Sequence, residues 1–208
     1  VYNASVLDTH NDFLAAGFGY TRKIRDIQQS KEVINSFHLA ASKIFGELIS
    51  VGLTGKYFLV NHPSQDQQVL NFDLGTFGVL TPDIQAGLIV YNLLGDKRSP
   101  SQSFLTQKQL GLGSRLRIWE FLYGSLDFLK RARSPWSEDF SFHGALEIIR
   151  NNGVVVQGGL SLSDQKAKNF YSLGLGWSEY KFGMSYAFQN SLNAHRSNTH
   201  ALSLRVFF

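Results

Sequence analysis

Histidine, serine and acidic residues are the groups of this chain that could carry out acid–base or nucleophilic chemistry. Two of the six histidines, His62 and His195, are followed two positions later by a serine, but both pairs fall in predicted polar loops, 61–68 and 190–197, and not on a strand. His143 and Glu147 would share one face of an extended strand, but residues four apart on a strand are separated by about 13 Å, too far for direct proton transfer. We therefore expect these two residues to line a polar surface rather than to act as a catalytic pair.

Metal binding and redox chemistry are equally poorly supported. The chain has no cysteine, which excludes a disulfide framework and a thiolate metal site. The spacings of His10 and Asp12, and of His195 and His200, fit no defined metal site. We predict no catalytic residue, no metal and no cofactor.

The end of the chain shows which elements carry the polar groups. In the last ten residues Leu202, Leu204 and Val206 share one face, while Ser203 and Arg205 share the other. Strict alternation indicates a strand with two different environments. Similar segments of about ten residues recur from residue 12 onward, about twelve in all, and this length lets a tilted strand cross a bilayer. No run of about 18 apolar residues occurs, so helical membrane spans are excluded.

The connections between these segments alternate in length. Polar loops, such as 61–68 and 96–107, alternate with tight turns, such as Asn151-Asn152-Gly153, and bacterial barrels place short turns on the periplasmic side. The sequence therefore predicts an all-β fold, a transmembrane antiparallel up-and-down β-barrel of about twelve strands in the bacterial outer membrane, with both termini periplasmic. Residues 12–208 would form the barrel and residues 1–11 a leader or lumen plug. A secretory signal is expected to have been removed, and a soluble β-protein is the disfavoured alternative.

Polar side chains fall on the face opposite the apolar one, which assigns them to the lumen. Because they carry both signs of charge, they can pair across the interior, and we favour a plugged or ligand-sized lumen over an open aqueous pore. Trp119, Tyr123, Trp177 and Tyr180 lie near the short turns and predict an inner aromatic belt. The residues predicted to line the lumen and contact a ligand are His38, Lys56, Asp73, Asn92, Arg115, Arg117, Asp127, His143, Glu147, Lys181 and Arg205.

The predicted outer loops are basic, in line with the sequence pI of about 9.3. Guanidinium and ammonium groups there can neutralise the phosphates of lipopolysaccharide. Nucleic acid is disfavoured as a partner because the basic groups lack the interleaved aromatics of a single-strand binder. The apolar spacing of residues 24–34 suggests a short helix on the rim. The basic loop residues are Arg25, Lys31, Lys97, Arg98, Arg131 and Arg133.

Five segments carry a resemblance to a known family. The segments 69–78 and 86–95 are similar to paired strands of FadL-like fatty-acid-transporter barrels, and the segments 173–177, 181–188 and 199–204 to the last strands of their PorV-like branch. The resemblance implies transport of a hydrophobic molecule, although those relatives usually have fourteen strands and an N-terminal hatch. A strand ending in Phe208 resembles the closing strand that the barrel-assembly machinery reads in outer-membrane barrels.

Three functions follow from these patterns. The first is that the chain binds or passes a small hydrophobic molecule through a narrow, partly plugged lumen. Alternatively, it is a non-transporting structural or interaction barrel whose basic loops contact lipopolysaccharide or envelope partners. An outer-membrane hydrolase has the least support, since no His-x-Ser pair falls on a predicted strand and His143 and Glu147 are too far apart for direct proton transfer.

Overall fold

A computed structural model of the protein describes residues 2–8, 14–27, 30–46, 48–61, 66–95, 107–132, 139–164, 169–179, 182–192 and 198–206, with the side chains of residues 25–27 and 30 left undescribed. These residues form strands and turns without an α-helix. Within them, no helix is long and apolar enough to cross a membrane.

Across the described residues, thirteen strands make up one sheet, and their order in the sheet is their order in the chain. The predicted all-β, antiparallel up-and-down arrangement is therefore confirmed, with one strand more than the predicted twelve. The strands are β1 (Tyr2–Asp8), β2 (Ala15–Ile27), β3 (Ser30–Phe45), β4 (Ile49–Asn61), β5 (Gln67–Thr81), β6 (Ile84–Tyr91), β7 (Gln109–Trp119), β8 (Leu122–Arg131), β9 (Phe140–Ile149), β10 (Val154–Ser163), β11 (Phe170–Ser178), β12 (Phe182–Ser191) and β13 (Asn198–Val206).

The additional strand lies in the segment that the sequence assigned to a leader or plug. Residues 2–8 pair antiparallel with β2, with Tyr2 opposite Arg22 and Asp8 opposite Ala16. A short segment whose backbone bonds to a sheet edge satisfies its N–H and C=O groups there. This part of the chain is a strand of the sheet, which explains the difference in the count.

The chain divides into two compact units. The first comprises residues 1–78 and 87–110, and the second residues 79–86 and 111–208. In the first unit β1 to β5 pair in sequence. In the second, β8 to β13 pair in the same way.

The connection between β2 and β3 differs from its predicted form. The sequence predicts a short helix over residues 24–34 and places Arg25 and Lys31 in a loop, but β2 continues to Ile27 and β3 begins at Ser30. Lys23 lies opposite Ile34 and Ile24 opposite Val33. The helix prediction was wrong because β-branched Ile and Val favour the extended conformation when a partner strand is available. Arg25 and Lys31 are therefore strand residues rather than loop residues.

The Asn-Asn-Gly turn between β9 and β10 forms where the sequence predicts it. Gly153 has φ +81°, and its carbonyl accepts a hydrogen bond from the Ser178 N–H at 2.9 Å. A Cβ at this position would lie 2.1 Å from the Ser178 carbonyl oxygen. Only glycine fits here, because both the positive φ and the close backbone approach exclude a side chain.

Each unit has one face of exposed apolar side chains. In the first unit Leu39 is 67% exposed, and in the second Leu175 is 59% exposed. The opposite face of the first unit holds a small buried cluster of Ile34, Phe58 and Val60, against which Val69 packs. Ordinary water-soluble domains bury such residues in a core, whereas this sheet leaves most of its large apolar side chains uncovered.

Candidate functional site on the polar face

Alternation and register bring the predicted lumen residues onto the face opposite the apolar one. In the first unit His38 lies opposite Lys56 and Lys56 opposite Asn71. In the second unit Asp127 lies opposite His143, and His143 opposite Ser161. Within each unit the register therefore groups these residues on one face.

Lys56 is the centre of a polar network in the first unit. Its ammonium group lies 2.7 Å from Oδ1 of Asp73, and both side chains are 11% exposed. It also donates to Oδ1 of Asn92 at 2.8 Å, and it lies 5.9 Å from the centre of the Tyr91 ring. The positive charge is compensated by a carboxylate and an amide oxygen, which is the arrangement that a nearly buried cation requires.

Asn92 joins this network through an unusual backbone conformation. It follows the last residue of β6 and has φ +55°, which asparagine tolerates better than most residues. Its N–H donates to Oδ1 of Asp73 at 2.9 Å, and its Nδ2 donates to the Gln107 carbonyl at 2.9 Å. The left-handed turn ends β6 at Tyr91 rather than at the predicted residue 95.

Asn71 and His38 complete the polar face of the first unit. Asn71, which is 1% exposed, accepts hydrogen bonds from the N–H groups of Phe72 and Leu94. The His38 ring meets Phe58 edge-on, with the ring centres 6.1 Å apart. His38 thus lies between the charged network and the apolar cluster.

Arg115 and Glu147 form the central ion pair of the second unit. Gln157 donates to the other carboxylate oxygen of Glu147, and the Arg115 guanidinium lies 4.4 Å from the centre of the Tyr123 ring. Tyr123 was predicted to belong to an aromatic belt on the lipid side. That prediction was wrong, because the register sets Tyr123 opposite Glu147 on the polar face.

The other predicted residues of the second unit lie apart from this pair. His143 shares a hydrogen bond of 3.2 Å with the hydroxyl of Ser141. Arg117 pairs with Asp83 at 2.6 Å in the Thr81–Ile84 turn, where both side chains are about half exposed. Nothing in the sequence pattern around Asp83 had indicated this contact, which depends on strand pairing.

Asp127 and Arg205 have no ion-pair partner among the residues that the structure describes. The Asp127 carboxylate leans toward β7, where a Cβ on Gly113 would come within 2.6 Å of it. Arg205 borders a shallow cavity of about 170 Å³, and glycines are among the residues that line it. Small residues leave this part of the polar face flat and open. The residues around the cavity include Gln157, Gly174, Gly176, Gly183 and Ser185.

Some predicted residues cannot be placed. Lys181 lies outside the described residues, as do Lys97, Arg98, Arg133 and Phe208, and the side chain of Arg25 is not described. Arg131 ends β8 and pairs with Asp139 at 2.8 Å. Within the described ranges, no three His, Asp or Glu residues lie close enough together to hold a metal ion.

Comparison with known proteins supplies a fold but no family. No protein-family model and no curated protein sequence matches the chain. Its structure is similar to the toluene transporter TbuX of Ralstonia pickettii (TM-score 0.71, 10% identity, 97% of this chain and 79% of that one). It is also similar to the monoaromatic hydrocarbon channel CymD (0.68, 9%, 99% and 82%).

A porin of Rh. blastica is a third similar structure, with a TM-score of 0.54 and 9% identity over 99% of this chain and 89% of that one. At sequence identities of 9–10%, structural similarity to these proteins shows the fold alone. This chain has the antiparallel up-and-down β fold of channels and porins, as the alternation of its residues predicts.

Proposed function

We propose that this chain is a bacterial outer-membrane β-barrel of the FadL-like type that binds or passes a small hydrophobic molecule. One observation carries the proposal: the sheet exposes an apolar face, while its opposite face holds two charge pairs, Lys56 with Asp73 and Arg115 with Glu147, together with small residues. The similarity to a toluene transporter and a monoaromatic hydrocarbon channel supports both the fold and the solute class. The PorV-like branch remains a prediction from sequence.

The apolar face is the part that a bilayer would cover. Leu39 and Leu70 in the first unit and Leu173 and Leu175 in the second are each more than half exposed. Contiguous apolar surface of this extent marks an interaction surface or a lipid-facing wall, because monomeric soluble proteins rarely expose it. Strands of nine residues or more match the length needed to cross the hydrocarbon layer at a tilt.

The polar face favours a neutral solute. Lys56 and Asp73 cancel each other's charge, as do Arg115 and Glu147. At these pairs an ion would find little uncompensated charge to replace its hydration shell. Of the described charged residues that the sequence assigned to the lumen, only Asp127 and Arg205, which carry opposite signs, lack an ion-pair partner. A small uncharged molecule would cross the same surface without that cost, so we propose a narrow passage restricted by paired side chains.

Whole-cell uptake tests this proposal. The full chain is expressed in the outer membrane of a Gram-negative host, and the uptake of labelled toluene is compared with that of a labelled sugar. We expect severalfold faster toluene uptake than in cells carrying an empty vector, no change for the sugar, and low ion conductance in planar bilayers. A large ohmic conductance without a toluene effect would instead identify a general porin.

Two glycines on adjacent strands provide a matched pair of variants. Gly174 lies on the polar face and Gly158 on the apolar face, and a Cβ at either position meets only ordinary van der Waals contacts. Gly174→Trp should block toluene uptake because the indole fills the passage. Gly158→Trp should leave uptake unchanged because the indole faces lipid, and equal effects of the two variants would contradict a route along the polar face.

A further inference from the structure

A row of polar side chains interrupts the apolar face of the first unit near the β2–β3 hairpin. Arg22 lies opposite Asn35, Asn35 opposite Leu59, and Leu59 opposite Gln68. Adjacent strands are about 4.8 Å apart, so the row extends over roughly 14 Å from Arg22 to Gln68. Polar groups at this position need an explanation, because the rows below them are apolar or aromatic.

Two tyrosines determine which groups this row presents. The Tyr20 hydroxyl donates to Oδ1 of Asn35 at 2.8 Å, and the Tyr57 hydroxyl donates to Oε1 of Gln68 at 2.8 Å. Since the amide oxygens are occupied, the amide NH₂ groups of Asn35 and Gln68 are left to donate outward. Both tyrosines thus convert neutral amides into oriented hydrogen-bond donors.

Arg22 adds a positive charge to these donors. Its side chain is exposed, and among the described residues no carboxylate lies within ion-pair distance of it. The row therefore combines one guanidinium with two amide NH₂ groups that can donate outward. Such a set is complementary to phosphate oxygens, which form short charge-assisted hydrogen bonds with guanidinium groups.

The distance of this row from the short turn after β3 agrees with a position at the membrane boundary. Leu59 is ten residues from Ile49, which follows the short turn after β3. At about 3.3 Å per residue and a tilt of about 40°, this separation is about 25 Å along the membrane normal, the height of the apolar band of a transmembrane barrel. Tyr20 and Tyr57 lie just inside that boundary, where aromatic belts occur.

We propose that Arg22, Asn35 and Gln68 bind the phosphate-bearing headgroup of an outer-leaflet lipid, whose acyl chains lie on the apolar rows below. This proposal rests on the membrane location in the proposed function, and it adds a defined lipid site on the strand wall. Leu59 lies between the two amides and gives the headgroup an apolar contact. Such a lipid carries both phosphate, which matches the hydrogen-bond donors of the row, and hydrocarbon, which matches the apolar rows below it.

Native mass spectrometry of the full chain in detergent micelles tests the site. Titration with diphosphoryl lipid A is compared with the same lipid lacking its phosphates. Arg22→Met should weaken diphosphoryl lipid binding about tenfold, because a charge-assisted hydrogen bond is lost. Lys43→Met is the matched control, since it removes one positive charge from the same face near the short turn, and it should change binding less than twofold.

A second variant, Asn35→Leu with Gln68→Leu, leaves the charge in place and should also weaken binding to the phosphorylated lipid. Heat-modifiable gel migration shows whether each variant is folded. Equal weakening by Arg22→Met and Lys43→Met, or equal affinity for the lipid without phosphates, would overturn the site. Displacement of the lipid by an equal concentration of inorganic phosphate would point to a free-anion site and overturn it too.

The lipid site and the proposed function can fail separately. If the protein takes up toluene but does not distinguish phosphorylated from dephosphorylated lipid, only the lipid site is wrong. If it stays monodisperse without detergent, the membrane location fails and the lipid site fails with it. Capture of a second copy or of a protein on this row would likewise contradict a lipid occupant.

Discussion

The ammonium group of Lys56 lies 2.7 Å from Oδ1 of Asp73, although the register sets Lys56 opposite Asn71 and Asp73 opposite Thr54. The ion pair is therefore diagonal across β4 and β5. Long side chains can reach such diagonal neighbours in an antiparallel sheet. A diagonal pair leaves Asn71 free to bind the backbone of Phe72 and Leu94, so one pair of strands positions both groups of the network.

Removing one member of this pair should destabilise the protein more than removing both. Asp73→Leu leaves a nearly buried ammonium group without its carboxylate, and we expect it to lower the free energy of unfolding by about 3 kcal/mol. The double variant with Lys56→Met should recover most of that loss. Denaturant unfolding in lipid vesicles measures both. Additive losses would show that the two side chains do not interact.

Two turn glycines should differ in their tolerance of alanine. Gly46 has φ +64°, and apart from its own chain neighbours no described residue comes within 4 Å of the place where a Cβ would lie, whereas Gly153 would place its Cβ 2.1 Å from the Ser178 oxygen. Gly46→Ala should cost about 1 kcal/mol, the penalty of the left-handed conformation. Gly153→Ala should cost clearly more, because the turn must also move away from β11. The same unfolding measurement compares them, and equal costs would contradict the close approach.

Most strands were predictable from sequence because alternation encodes both the element and its face. The alternation of apolar and polar residues predicts strands over 122–132 and 153–163, and β8 and β10 match these ranges within one residue at each end. The strand β1 was missed because its face toward Phe18 mixes Tyr2, Ala4, Val6 and Asp8, so no apolar period identifies it. Its strand conformation depends on β2, and a partner strand is not a local signal.

The candidate site was only partly predictable. Alternation placed Lys56, Asp73, Arg115 and Glu147 on the polar face, but which charges pair depends on register and side-chain reach. The inward position of Asn92 depends on one positive φ angle, which no periodic pattern contains. Contacts made by turn residues, such as Asp83 with Arg117, have no signature in the sequence.

If the polar face lines a narrow passage, unbalancing one ion pair should create ion selectivity. Arg115→Met leaves the Glu147 carboxylate with only Gln157 as a described partner, so residual current should become cation-selective. Glu147→Gln leaves the guanidinium uncompensated and should shift selectivity toward anions. Reversal potentials under a salt gradient measure the sign.

Arg117→Met serves as the control for these two variants. Its partner Asp83 lies in a turn and is about half exposed, where solvent and salt screen charge. We expect a smaller shift in reversal potential from this variant. The same sign of shift for Arg115→Met and Glu147→Gln would contradict a passage lined by this pair.

The assignment of the two faces predicts unequal losses of stability when arginine is introduced at two nearby positions of β11. Leu175 lies opposite Val156 and Tyr186 on the apolar face, while Ser172 lies opposite Gly159 and Gln189 on the polar face. Leu175→Arg should lower the free energy of unfolding in lipid vesicles by about 2–4 kcal/mol, because a guanidinium near the middle of the bilayer loses its hydration. Ser172→Arg should cost less, since its guanidinium can remain solvated on the polar face. Both variants add the same charge to the same strand, so the difference reports the environment of each face, and a larger cost for Ser172→Arg would show that the faces are reversed.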